Sequence, residues 1–209
     1  LGILEKSFNS GQIIASMGLL SFITGILFLL IRMPLPKQRQ GFPVRQILHF
    51  FKDRFIILVA FFLFFQSSFE GIINNWTTTY LIDHVHVQQS SALYSLSLFV
   101  AGMAIMRLIT GTILRHIPVK RILIASFVMI IAGLIIIRSG EALFTVMAGF
   151  MLLGAGLAGG FPIMLGFVGE IYPELSGTAF SFVLVVALLG NMLINYGMGI
   201  IAKNFGIRH

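Results

Sequence analysis

Six apolar blocks, at roughly 11–31, 55–82, 90–114, 120–137, 142–168 and 177–201, set the terms on which this chain can fold. Each matches or slightly exceeds the length of about 20 helical residues that crosses the hydrocarbon core of a bilayer. The half-polar periodicity of soluble helices is missing from them, and so is the alternation over about 10 residues that marks barrel strands. In lipid, backbone polar groups are satisfied only within helices or closed barrels. The blocks are therefore predicted to be transmembrane helices, and the fold class all-α integral membrane. Composition agrees, since 57% of the residues are hydrophobic and 10% charged, where an ordinary soluble domain carries about 25% charged residues.

The net charge of +7 raises nucleic acid as a partner. The basic residues lie mostly between the blocks, however, and no aromatic-basic reading surface accompanies them, so no nucleic-acid partner is expected. Membrane topology accounts for them. Arg32, Lys37, Arg39, Arg45, Lys52 and Arg54 gather between the first two blocks, and Arg115, Lys120 and Arg121 between the third and fourth. Lys6, Arg138, Lys203 and Arg208 lie on the opposite side. Nine basic residues against four, with Arg107 inside a block, predict that residues 34–53 are cytoplasmic and that the loops at Asp83 and at Ser139 and Gly140 face outward. The connector from Met33 to Asp53, with Pro34, Pro36 and Pro43, reads as a solvated basic loop; its apolar residues Val44, Ile47, Leu48, Phe50 and Phe51 leave open an interfacial amphipathic helix. The absence of cysteine excludes disulfides, thiolate metal sites and thiol nucleophiles. The chain begins at Leu1 with no signal-like segment, and the expectation is a fragment.

The second block holds the most informative stretch, FFQSSFEGIINNWTTTYLID. With 3.6 residues per turn, Gln66, Glu70, Asn74 and Thr77 project to within about 40° of one direction, with Ser67 and Thr78 at the flank. Glu70 lies 15 residues past Phe55, roughly 22 Å along the helix and slightly beyond the membrane midplane. A bare carboxylate at that depth costs at least a few kcal/mol unless it is protonated, paired or wetted. Two readings follow: a neutral acid bonded to a neighbouring helix, or a cavity-facing acid that binds solute or carries a coupling proton. Gly71 allows the helix to loosen there. Asn75 points about 140° away and is expected to bond another helix. Trp76 and Tyr80 read either as cavity aromatics or as part of the interfacial belt.

In the third block Arg107 sits about 10 Å inside the cytoplasmic end, where it either snorkels to the headgroups or serves as a gate or partner. Its depth differs from that of Glu70 by roughly 10 Å, so an ion pair needs a favourable helix offset. The fifth block reads LLGAGLAGGFP. Its G-x-G-x-x-G spacing is accidental, because no strand precedes it and no soluble βαβ unit surrounds it. Gly156 and Gly160 instead form a small-x-x-x-small pair that admits a neighbouring helix, and Pro162 is expected to kink the block. In the sixth block Asn191 and Asn195 lie one turn apart, lining a cavity or bonding a neighbour. Glu170 and Glu174 read as solvated or capping carboxylates at a cytoplasmic turn. His84 and His86 lack a third ligand, so neither a metal nor any other cofactor is expected.

Taken together, these stretches resemble the C-terminal half of the major facilitator superfamily. The first block is similar to the sixth helix of that fold and the others to the seventh to eleventh. This implies three segments: residues 1–32 as the sixth helix, 33–54 as the central cytoplasmic loop, and 55–209 as a five-helix bundle lacking the last helix. The stretch GTILRHIPVKR, Gly111 to Arg121, is similar to the second copy of the family's loop motif, departing from it at Arg115, where an Asp is expected, and at Pro118, where a Gly is. Glu70, Gly71 and Trp76, the FP pair Phe161 and Pro162, and YPELSGTAFS from Tyr172 look like the sugar-transporting branch that includes fucose permeases. The resemblance implies alternating access, proton coupling, a small polar solute and a bacterial inner or other plasma membrane. It also implies a missing N-terminal half as partner and a cavity lined by Glu70, Asn74 and Phe161. Two other functions stay open on the residues alone: a small complete six-helix protein acting as a dimeric pore or scaffold, and an intramembrane enzyme. The latter needs a base or metal cluster at one depth, which the sequence does not supply.

Overall fold

The computed structural model describes residues 10–31, 50, 52–83, 85–113, 117–140 and 142–206. Its helices, numbered in chain order, are α1 (Ser10–Leu30), α2 (Arg54–Asp83), α3 (Gln89–Ile113), α4 (Val119–Ser139), α5 (Leu143–Leu157), α6 (Gly160–Ile171) and α7 (Ser176–Phe205); a 3-10 turn, Pro173–Leu175, leads into α7. Among the described residues there is no strand, so the fold is all-α. Five spans are long and apolar enough to cross a membrane: α2, α3, α4, α5 continued by α6, and α7 with its leading turn. A shorter apolar stretch, Ile14–Leu30, lies in α1.

The chain divides into two compact units, Leu1–Gly41 and Phe42–His209. In the first, the hydroxyls of Ser21 and Thr24 donate to the carbonyls of Met17 and Leu20 at 3.0 and 2.6 Å. These two hydroxyls of α1 are thus satisfied by their own helix, as an apolar solvent requires.

In the second unit α2 packs along α7, while α5 runs between α3 and α4. Lipid tails are as apolar as leucine, so helices associate there through close packing, and small residues bring their backbones together. A Cβ on Gly154 of α5 would collide with the Phe99 carbonyl of α3, and one on Gly102 of α3 with the Met151 carbonyl of α5. Two buried clusters result. One joins the first half of α2 to α6 and α7 through Ile56, Leu63, Val168 and Val183. The other joins the far end of α2 to α3 and α5 through Leu81, Phe99, Phe150 and Leu153.

Between the clusters the span made of α5 and α6 is broken. Ala158 and Gly159 form a turn between α5 and α6, and the Ala158 N–H donates to Ala155 rather than to a residue four back. Pro162 has no N–H to give the Ala158 carbonyl and its ring crowds that group, which places the break one turn before the proline.

At the start of α2, Asp53 caps the helix: one carboxylate oxygen accepts from the N–H groups of Phe55 and Ile56 at 2.9 and 3.5 Å. Its other oxygen accepts the hydroxyl of Tyr172, at the junction of α6 and the 3-10 turn. Phe50 meets the Tyr172 ring edge-on, with centroids 5.4 Å apart. Burial, this hydrogen bond and the Asp53 charge push the Tyr172 hydroxyl up to about 12, so it remains a neutral donor. The entry to α2 is thereby tied to the exit of α6.

Candidate functional site

The middle of α2 carries polar side chains at 67, 70, 74 and 75 with a glycine at 71 on one side of the helix. They open onto a cavity of about 370 Å³ lined by Ser67, Glu70, Gly71, Asn74 and Asn75, by Arg107 of α3, by Phe161 of α6 and by Asn191 of α7. Gly71 makes this possible, because a Cβ there would strike the side-chain amides of Asn191 and Asn195. Three amides then orient one another across the α2–α7 contact. Asn75 Nδ2 donates to Asn195 Oδ1 at 3.1 Å, and Asn195 Nδ2 donates to both the backbone carbonyl and Oδ1 of Asn191 at 2.9 Å. Asn74 is held separately, its Nδ2 donating to the Glu70 carbonyl at 3.0 Å.

The polar stripe expected on α2 is only partly the stripe that lines the cavity. Glu70 and Asn74 face it; Gln66 and Thr77, at 8% and 4% exposure, do not. The lining positions 67, 70, 71, 74 and 75 centre about a quarter turn away from Gln66 and Thr77 at 3.6 residues per turn. Asn75 makes the interhelical bond expected of it and also lines the cavity. Gln66 Nε2 donates instead to the carbonyl of Leu157, the last residue of α5, at 2.9 Å. Because that carbonyl demands a donor, the orientation of the amide is fixed and its Oε1 is the buried atom left without a hydrogen bond. Gly160 lies so close that a Cβ would collide with the same amide. Gln66 thus braces the break between α5 and α6.

The remaining candidates fall as follows. Trp76 packs near Gly199 of α7 and is not part of the cavity lining. Asn195 acts on the cavity through Asn75 and Asn191. Arg107 reaches the cavity that Glu70 lines despite the difference in depth along their helices, since the lining includes both. A Cβ on Gly156 would press on the backbone of Ser126 and Ile130 in α4, whereas Gly111 has open space around it. Pro162 lies in the first turn of α6. Arg115, His84 and most of the 33–54 connector lie outside the described residues. A second cavity, of about 420 Å³ between α2, α4 and the α5–α6 break, is lined largely by Phe62, Phe65, Phe69, Phe127, Ile130 and Leu134. Among the described residues no three His, Cys, Asp or Glu come together to hold a metal ion.

The polar cavity therefore offers one carboxylate, one guanidinium, three amides, a hydroxyl and an aromatic face. Such a set can bind a small hydroxyl-bearing molecule and can hold a proton on Glu70. A profile of the Major Facilitator Superfamily matches residues 6–193. The uncharacterized transporter y4wD of Sinorhizobium fredii (strain NBRC 101917 / NGR234) is 26% identical over 148 residues, covering 71% of this chain and 39% of that protein. The matched stretch thus covers well under half the length of that curated relative.

Proposed function

The chain belongs to the Major Facilitator Superfamily, and from that premise we propose that it supplies the C-terminal half of a secondary active transporter. The transporter moves a small polar solute, a sugar or a related metabolite, through a plasma membrane by alternating access, with proton coupling. In this reading residues 1–32 are the sixth helix of the fold, 33–54 the cytoplasmic connector and 55–209 the bundle that faces the other half. Solute contacts come from Glu70, Asn74, Phe161 and Asn191. Asn195 holds the amides in place, and Gly156, Gly160, Gln66 and Pro162 shape the broken span.

The observation that carries the reading is the convergence of polar side chains from α2, α3 and α7, with Phe161 of α6, on one cavity within an apolar bundle. Polar and ionisable groups are expensive at membrane depth and mark solute or proton pathways. Transport is favoured over an intramembrane enzyme because the cavity lining surrounds its acid with amides and an arginine and sets no histidine or lysine beside the Ser67 hydroxyl to activate it.

Glu70→Gln separates the proposed roles, since the amide keeps the shape and loses the titration. In vesicles containing the protein produced in full, uptake of labelled hexoses and hexose acids is measured with and without a pH gradient. The expected result is loss of gradient-driven accumulation with solute exchange at equal pH retained. Loss of exchange as well assigns Glu70 to solute binding alone, and wild-type behaviour in both assays removes Glu70 from the mechanism.

A further inference from the structure

Resting on the reading of the polar cavity as the solute site, we infer that its solute is a polyhydroxylated monocarboxylate, a sugar acid, taken up with one proton so that the loaded site stays electrically neutral. The groups that face Glu70 set the charge of the site. Arg107 of α3 is the charged group opposite it; α6 contributes Phe161 and α7 contributes Asn191, neither of them titratable, and α2 itself adds Ser67, Asn74 and Asn75. Among the described residues the Arg107 guanidinium is held by no hydrogen bond and no ion pair within 4.0 Å, and it shares the cavity wall with Glu70. It is exposed to the cavity and always charged.

If Glu70 is ionised in the empty, wetted cavity, its negative charge and that of the positive Arg107 sum to zero. A neutral sugar leaves that sum unchanged and gives neither group a reason to change state. A sugar acid brings one negative charge and the partner for which a guanidinium is best shaped, since planar carboxylates accept two parallel N–H bonds from arginine. Arg107 then serves the solute, and an ionised Glu70 would leave one uncompensated negative charge in an occluded, low-dielectric site. A proton transferred from water to a Glu70 carboxylate oxygen restores neutrality and turns that group into a donor for a solute hydroxyl. The charge sum of the loaded site is again zero: neutral Glu70, positive Arg107, negative solute. The rest of the lining suits the polyol part. Asn74 and Asn75 each commit an amide N–H to the protein, at 3.0 and 3.1 Å, and keep their oxygens as acceptors for hydroxyl groups. Phe161 presents an aromatic surface to the C–H face of a sugar. The volume of about 370 Å³ lies within the range of about 300–1,000 Å³ of small-molecule sites.

The test compares matched pairs on the purified protein produced in full, D-galacturonate against D-galactose and D-gluconate against D-glucitol. Binding is followed by thermal stabilisation and proton uptake by a pH dye in weak buffer. The acids are expected to bind at least tenfold more tightly than their neutral partners, with about one proton taken up per acid bound. Arg107→Gln should erase the preference, and Glu70→Gln should bind the acids without taking up the proton. Should Arg107→Gln fail to fold, Arg107→Lys keeps the charge without the paired geometry and should weaken the preference without abolishing it. Equal binding of acid and neutral partner overturns the inference and leaves the cavity reading standing. An acid preference that survives Arg107→Gln overturns the role of Arg107, and binding of neither class by well-folded protein overturns the inference and the sugar reading together.

Discussion

Glu70 and Asn74 stand out in the sequence because a carboxylate and an amide in an apolar span have no cheap place to go, and the structure puts both on the cavity wall. Gln66 and Asn75 show what the same reasoning lacks. Helical periodicity fixes the angles between residues on α2, but the direction that faces the cavity is chosen by packing against α7, where Gly71 admits the asparagines. Asn75→Ala should cost only about 0.6 kcal/mol of stability, an ordinary interhelical hydrogen bond in a membrane. It should disturb solute affinity more than stability, since Asn195 and Asn191 lose their orientation; unfolding and binding measured on the same preparation decide this. Tyr172→Phe removes a hydrogen bond to a charged acceptor from a half-buried site and should cost about 1 kcal/mol, toward the low end of such bonds. Its pH dependence follows from the raised hydroxyl. A neutral form favoured by folding contributes fully below the unfolded value of about 10 and fades only as pH climbs toward about 12. The Tyr172→Phe penalty should therefore be the same at about pH 6 and about pH 9, and a penalty that shrinks within that window would contradict the account of this bond.

At the scale of elements, apolar length alone located the spans, because the bilayer fixes how many residues a helix needs. The break between α5 and α6 was legible from Pro162, which lacks the donor for Ala158. Its brace was not, because Gln66 lies 91 residues from Leu157 in sequence and only the fold brings them together. The same holds for Gly102 and Gly154. Their spacing within a helix says nothing about which helix they meet, whereas the structure sets them against the facing backbones of α5 and α3. Gly156→Leu forces a side chain into the backbone of α4 and should destabilise the bundle by about 1–3 kcal/mol, the usual cost of overpacking. Gly111→Leu, placed in open space, serves as the control. The expected outcome is reduced abundance for the first and wild-type abundance for the second; equal abundance would mean that α4 and α5 are not held at this separation.

For the molecule as a whole, the asymmetry of nine basic residues against four predicts a cytoplasmic connector between α1 and α2 and an outward loop between α2 and α3. An impermeant thiol reagent applied to intact cells should label Gln88→Cys and spare Gln38→Cys, and the reverse pattern would invert the topology. The absence of cysteine from this chain keeps the background of such labelling low. The central claim, that the Glu70 cavity is a solute site opened in turn to each side of the membrane, has a more direct test with the same chemistry. In protein produced in full, Asn74→Cys is exposed to an impermeant reagent from outside in intact cells and from the cytoplasmic face in inverted vesicles. Alternating access predicts modification from both sides, with Phe61→Cys, whose position is exposed on α2 and lines neither cavity, unmodified from either. Modification of Asn74→Cys from one side only, or from neither, would contradict it.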